Sequence, residues 1–183
     1  MTTTTRRRGS LLVAVLTSLA FALSLAIAAP ASAAGGRLIE NKERPWLSGP
    51  VCLEIDYARA WDDADATVDW CSNNGNNMQW TATYVGYDGA GLYYQLKVGH
   101  SGKCLDVRGN ANTDGAQVVQ NTCATNGGDW AQQWRFVPLS SANGKSYYEV
   151  IARHSGKCLD KSGWNTIQWN CHGGDWQQWS RPF

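Results

Sequence analysis

The sequence predicts an all-β fold, a barrel assembled from three similar units, and three observations carry that expectation. The first is a pattern written three times: a Cys-Leu-acid triplet, a second cysteine, and a tripeptide ending in tryptophan. It reads Cys52-Leu53-Glu54 … Cys71 … Met78-Gln79-Trp80, then Cys104-Leu105-Asp106 … Cys123 … Gln132-Gln133-Trp134, then Cys158-Leu159-Asp160 … Cys171 … Gln177-Gln178-Trp179. The second is an identity of seven letters, since His100 to Asp106 and His154 to Asp160 both read His-Ser-Gly-Lys-Cys-Leu-Asp, 54 positions apart. A fixed period of this kind marks one supersecondary unit used several times. The third is the texture between these landmarks: short alternating segments separated by glycine, asparagine and aspartate, with no long amphipathic helix.

Taken from the N-terminus, residues 1–33 read as a secretory signal peptide. Arg6, Arg7 and Arg8 supply a basic region, Leu11 to Ala29 a largely apolar run, and Ala31-Ser32-Ala33 a small-residue cleavage site. The adjacent arginines raise a twin-arginine export route, which the residues after them fit poorly. The expected location is therefore extracellular. Residues 34–183 are enough for one domain with a substantial core and too few for two.

Removing the leader removes three of the 16 basic residues and none of the 15 acidic ones, which leaves a net charge of −2. A near-neutral chain without a lysine or arginine cluster is a poor nucleic-acid binder. No second long apolar segment follows the leader, so no membrane partner is expected once the leader is cleaved.

Each unit holds two of the six cysteines, 19 residues apart in the first two and 13 apart in the third. Equivalent units should make equivalent bonds, which predicts Cys52–Cys71, Cys104–Cys123 and Cys158–Cys171. Closing loops of this size contributes roughly 3 kcal/mol each in the chain-entropy model. A metal cluster would need closely paired ligands, and no Cys-x-x-Cys occurs. Neither metal nor cofactor is expected.

Strands are expected at Tyr93 to Val98, Ala116 to Gln120 and Tyr147 to Ala152, with Arg37 to Trp46 opening the first unit. Turns are expected at Tyr87 to Gly91, Asn126 to Asp129 and Asn143-Gly144. The repeats span roughly 37–84, 93–139 and 147–183. Trp80, Trp134 and Trp179, at matching places, read as one shared apolar layer, with Leu53, Leu105 and Leu159 also inside.

Three Gln-x-Trp-like closures in phase with three cysteine pairs resemble the ricin B-chain-like, or R-type, lectins. The His-Ser-Gly-Lys-Cys-Leu-Asp segments are similar to those of secreted bacterial carbohydrate-binding modules, and the resemblance covers nearly all of residues 34–183. It implies a β-trefoil: twelve strands, a six-stranded barrel closed by three hairpins, and a shallow pocket on each repeat. It also implies a sugar site made of the acid after Cys-Leu, an aromatic two residues before the second cysteine, and an Asn-Gln pair opening Asn-Gln-x-Trp. The chemistry suits a pyranose. An indole covers the C–H face, a carboxylate accepts hydroxyl hydrogens, and an amide both donates and accepts.

Carried over residue by residue, the third unit offers Asp160, Trp169 and Gln177. It departs from the pattern in having Trp176 where asparagine is usual and six fewer residues between its cysteines. Trp164 is a candidate second aromatic surface there, and His172 a candidate for the pocket edge. The second unit offers Asp106 and Gln132, but Asn121 stands at the stacking position, Ala131 replaces the asparagine, and Trp130 lies nearby. The first departs most, with Glu54, Asp69 and Met78, and Trp70 one residue off register. Strand alternation turns Trp70 to the opposite face, and this unit reads as structural. Gln120 and Gln168 are likewise out of register for a sugar contact, and His100 and His154 read as structural.

The resemblance implies a lectin for galactose-type sugars or a plant polysaccharide such as xylan. Asp62, Asp63 and Asp65 form the one local acid cluster. Paired carboxylates serve glycosidases, but adjacent acids in a turn are ordinarily solvated surface, and no catalysis is expected. The alternative is a trefoil that keeps the fold without the sugars, acting as a protein-binding module or protease inhibitor.

Overall fold

Leu53, Leu105 and Leu159 each open a two-stranded hairpin, and the barrel beneath is built by the strands on either side. The structure is a computed structural model and describes residues 1–3, 36–44, 49–125 and 128–183. All but the first three residues of the expected leader lie outside these, as do 45–46 at the end of the opening segment, 47–48 after it, and 126–127 of one expected turn. Among the described residues, helix is confined to three-residue 3-10 turns such as Asp56–Ala58 and Trp130–Gln132. None is long and apolar enough to cross a membrane.

Eleven strands follow in order. They are β1 (Val51–Ile55), β2 (Ala64–Trp70), β3 (Trp80–Asp88), β4 (Gly91–Val98), β5 (Cys104–Val107) and β6 (Val118–Asn121). The rest are β7 (Trp134–Ala142), β8 (Lys145–Ala152), β9 (Cys158–Ser162), β10 (Asn165–Trp169) and β11 (Gln178–Trp179). The segment 37–41 supplies a twelfth through single bridges.

Six of the twelve close a ring. Arg37 bridges Trp80 of β3, β3 pairs β4, and β4 meets β7 through Tyr94 and Trp134. β7 pairs β8, β8 pairs β11, and Asn41 bridges Trp179 of β11, which returns the ring to its start. Among the described residues, closure leaves no open sheet edge in the barrel. The remaining hairpins, β1–β2, β5–β6 and β9–β10, meet as a triangle over one end. β2 pairs β6 at Ala64 and Gln120, β2 pairs β10 at Thr67 and Asn165, and Gln117 bridges Ile167. This is the β-trefoil. The β7–β8 turn shows why Asn-Gly punctuates the sequence: Asn143 and Gly144 both have positive φ (52° and 73°), as a tight hairpin turn matching strand twist requires.

The three tryptophans are fully buried, and each indole nitrogen donates to the leucine carbonyl of its own repeat. The distances are 2.9 Å for Trp80 to Leu53, 3.0 Å for Trp134 to Leu105 and 2.9 Å for Trp179 to Leu159. One side chain thus fills the barrel and ties its hairpin to it. All three expected disulfides are present.

The seven-letter identity works at the seams between repeats. Ser101 donates to Gln120, whose amide donates to the carbonyls of Arg59 and Trp61 in the preceding β1–β2 loop. His100 bonds the same Arg59 carbonyl, and Lys103 and the Thr122 N–H both donate to Asp62. The next seam repeats this atom for atom. Ser155, Gln168, His154, Lys157 and Asn170 hold Ala111, Thr113 and Asp114. Gln120 and Gln168 are therefore fully buried seam residues, consistent with their lack of register for a sugar.

Trp134→Ala should lose both functions of its indole, the filling of the core and the bond to Leu105. We expect a loss of about 3–5 kcal/mol in chemical denaturation with the disulfides intact. A loss below about 1 kcal/mol would show that the barrel does not depend on this layer.

Candidate functional site

In the third repeat, β9 carries Asp160 and β10 carries Trp169, which faces Cys158 across the hairpin. The pair therefore lies on adjacent strands, and the loop after Cys171 folds back to add His172 and Trp176. Asp160, Ser162, Ile167, Trp169, His172 and Trp176 line one open cavity of about 220 Å³. Trp169 is 43% exposed and Trp176 54%, so two indole faces are available to a ligand. Trp169 stands against Gly115 of the preceding repeat, where a Cβ would come within 3.7 Å of its ring.

Asp160 is nearly buried and held from behind. Its Oδ2 accepts Gln177 Nε2 at 2.7 Å and lies 3.3 Å from His172 Nε2. Gln177 is itself fully buried, with its Oε1 taking the His172 N–H and its Nε2 also reaching the Asn170 carbonyl. It thus orients the carboxylate and the loop without lining the cavity. Trp176, at the asparagine position, does line it.

The second repeat also gathers its expected residues, but they bind one another. Asp106 Oδ2 accepts Asn121 Nδ2 at 2.9 Å and Gln132 Nε2 at 3.0 Å. Asn121 in turn accepts the Asp63 N–H, and Gln132 accepts the Ala124 N–H. Asp106 is 3% exposed, and burial raises its pKa. Asn121 thus fills the place of the stacking aromatic and ties it into the seam. Trp130 is exposed, with the Arg153 guanidinium 4.5 Å from its ring centroid.

The first repeat, read as structural, lines a cavity of about 630 Å³, larger than the one at Asp160. Its lining includes Glu54, Thr67, Asp69, Trp70, Asn77 and Trp164. Two sequence expectations change here. Trp70 ends β2, and its half-exposed indole meets Trp164 edge-on at 5.5 Å, so it walls this cavity instead of turning away from it. Trp164 belongs here and not to the Asp160 cavity, because the short turn between β9 and β10 delivers it across the seam to β2.

Asn77, overlooked in the sequence, donates to Glu54 Oε2 at 2.8 Å. The signal was present, since Asn77 opens Asn-Met-Gln-Trp at the asparagine position of the motif. Met78 at the glutamine position is buried.

Asp62, Asp63 and Asp65 are committed to seam contacts, Asp62 with Lys103 and the other two with Arg108. The one cluster of possible metal ligands among the described residues is Glu149 with Cys158 and Cys171, and those two cysteines form a disulfide.

Burial, reinforced by the charge of Asp69, raises the Glu54 pKa from 4.5 to about 7, with Thr67 and Asn77 opposing the shift. The native state thus favours the protonated acid, and the unfolded chain ionises first. Glu54 therefore supports folding most at and below pH 4.5, and that support is lost as pH rises to 7. Glu54→Gln removes the dependence. Its melting temperature relative to the parent should rise between pH 4.5 and 7 and stay level above. A constant difference across that interval would show that Glu54 titrates normally.

Comparison with known proteins follows the same lines as the geometry. The family described as ricin-type beta-trefoil lectin domain-like matches residues 51–121, 76–163 and 130–182. Among solved structures, the designed threefold-symmetric protein ThreeFoil is 36% identical. The match covers 78% of this chain and 94% of that one, with a TM-score of 0.65. An exo-beta-1,3-galactanase from Clostridium thermocellum, 1,3Gal43A, is 26% identical with a TM-score of 0.63; the match covers 80% of this chain but 29% of that one. The Rhizoctonia solani agglutinin shares the fold at 19% identity, 83% and 97% coverage and a TM-score of 0.57. No curated protein matches the chain. With overlapping matches from Val51 to Pro182 and three repeats of one disulfide each, this chain belongs to the ricin-type β-trefoil lectin domain-like family.

Proposed function

We propose that this chain is a secreted lectin that binds glycans without changing them. The observation that carries the reading is the third-repeat cavity, where Asp160 and the exposed faces of Trp169 and Trp176 line one open space. A sugar ring laid on Trp169 buries its C–H face there, and a buried carboxylate nearby accepts its hydroxyls through charge-assisted bonds. Gln177 keeps the acceptor in place, so the site is preorganised before the sugar arrives.

The sugar is of galactose type or a plant polysaccharide such as xylan. The likeness to a module-sized part of an enzyme named for galactan supports the first. The shallow cavity touches little beyond one ring, so affinity per site is modest. The leader-like sequence at 1–33 and the three disulfides support export to an oxidising compartment.

The bonds from Asn121 and Gln132 to Asp106 Oδ2 favour the other reading at that repeat, a scaffold that keeps the fold without a sugar. Binding to immobilised galactans and xylans, with Trp169→Ala beside the parent, separates the two. A lectin should bind one class and lose at least about tenfold in affinity in the variant, a change of about 1.4 kcal/mol, since the apolar face under the ring is removed. A folded parent that binds no glycan makes the trefoil a scaffold for a protein partner.

A further inference from the structure

At two of the three seams, the residue just before the second cysteine is polar and grips an aspartate of the preceding repeat. Thr122 holds Asp62, Asn170 holds Asp114, and Lys103 or Lys157 completes each clamp. The third seam, from repeat three to repeat one, has no such clamp among the described residues. The β9–β10 connection is six residues shorter than its sisters and carries no equivalent acid. Trp70 occupies the place of Thr122 and Asn170, and Trp164 stands opposite it. An ionic lock has been replaced by two indoles, 39% and 52% exposed, that wall the 630 Å³ cavity.

The polar side of this cavity is acidic. Asp56 and Asp65 at its rim are already neutralised, by Arg59 and Arg108. Glu54 and Asp69 have no cationic partner among the described residues. Glu54, 8% exposed, receives Thr67 and Asn77, and Asp69 accepts the Trp70 N–H. Among the described residues, no lysine or arginine is in the lining. A neutral sugar would leave the repulsion between these two acids in place, whereas a ligand ammonium would relieve it and could also lie against an indole face. A bare metal ion would leave the aromatic walls unused.

We propose that this seam cavity binds an amine-bearing sugar of the glucosamine type. Its C–H face packs on Trp70 and Trp164, and its ammonium lies beside Glu54 and Asp69. The site is distinct from the Asp160 cavity in repeat, walls and ligand charge, so it stands whether or not the reading of that cavity does.

The test is calorimetric titration of the oxidised protein with a β-1,4-linked glucosamine trimer and with the same trimer fully N-acetylated. The amine form should bind at least tenfold tighter. Glu54→Gln and Trp164→Ala should each weaken it at least tenfold, with near-ultraviolet circular dichroism confirming the fold. Asp69→Asn, at an exposed position, gives a second charge variant that does not disturb the core. Trp169→Ala should leave amine binding unchanged. Equal affinity for the two trimers, no binding of the amine trimer, or binding indifferent to Glu54→Gln would overturn the proposal. So would binding that survives Trp164→Ala but disappears in salt, which marks diffuse attraction to a negative surface.

Discussion

The bond from each core indole to the leucine carbonyl of its own repeat is the constraint on which the rest of this structure depends. Trp80, Trp134 and Trp179 sit where the barrel is narrowest in chemical choice. The position must be large and apolar to fill the interior, yet it must carry one donor, because a hairpin carbonyl would otherwise be buried unpaired. Tryptophan alone offers a bulky ring with a single N–H. The same bond anchors the strand carrying the acid next to each leucine, so core and pockets are set by one contact.

The seams add a second level of order. Each copy of His-Ser-Gly-Lys reaches back to the preceding repeat, and it does so through backbone carbonyls as well as side chains. Such contacts require the loop they grip to be of one length. The short loop of repeat three and the absence of His-Ser-Gly-Lys before Cys52 are thus two aspects of a single departure: without the loop there is nothing to grip. The departure relocates Trp164, pairs it with Trp70 and enlarges the cavity of the first repeat.

The three pockets consequently diverge from a common frame. In repeat three an aromatic faces the acid and the cavity is open. In repeat two an asparagine faces the acid and fills the place of an aromatic, since a short amide can bond both Asp106 and the neighbouring seam. In repeat one an aspartate faces a glutamate, and their repulsion joins burial in lifting the Glu54 pKa. The identity of the single residue two before the second cysteine separates these outcomes.

Much of this was legible in the sequence by itself. The repeat dictated three equivalent disulfides, the buried tryptophan layer and a barrel of three units, because those features depend on periodicity and on residues that act in the same way in every copy. The meeting of Asp160 with Trp169, and the loss of an aromatic at Asn121, were legible through the family resemblance. The tertiary structure decided what crosses from one repeat to the next. Trp164 lies more than 90 residues from Trp70, and nothing in either neighbourhood indicates that a shortened turn would bring them together. Whether Gln177 lines a pocket or stands behind its acid, and whether Glu54 is buried beside Asp69, likewise depends on packing. Strand alternation assigns a face only where a strand continues, and Trp70 stands at the end of β2, where a neighbouring repeat supplies the other wall.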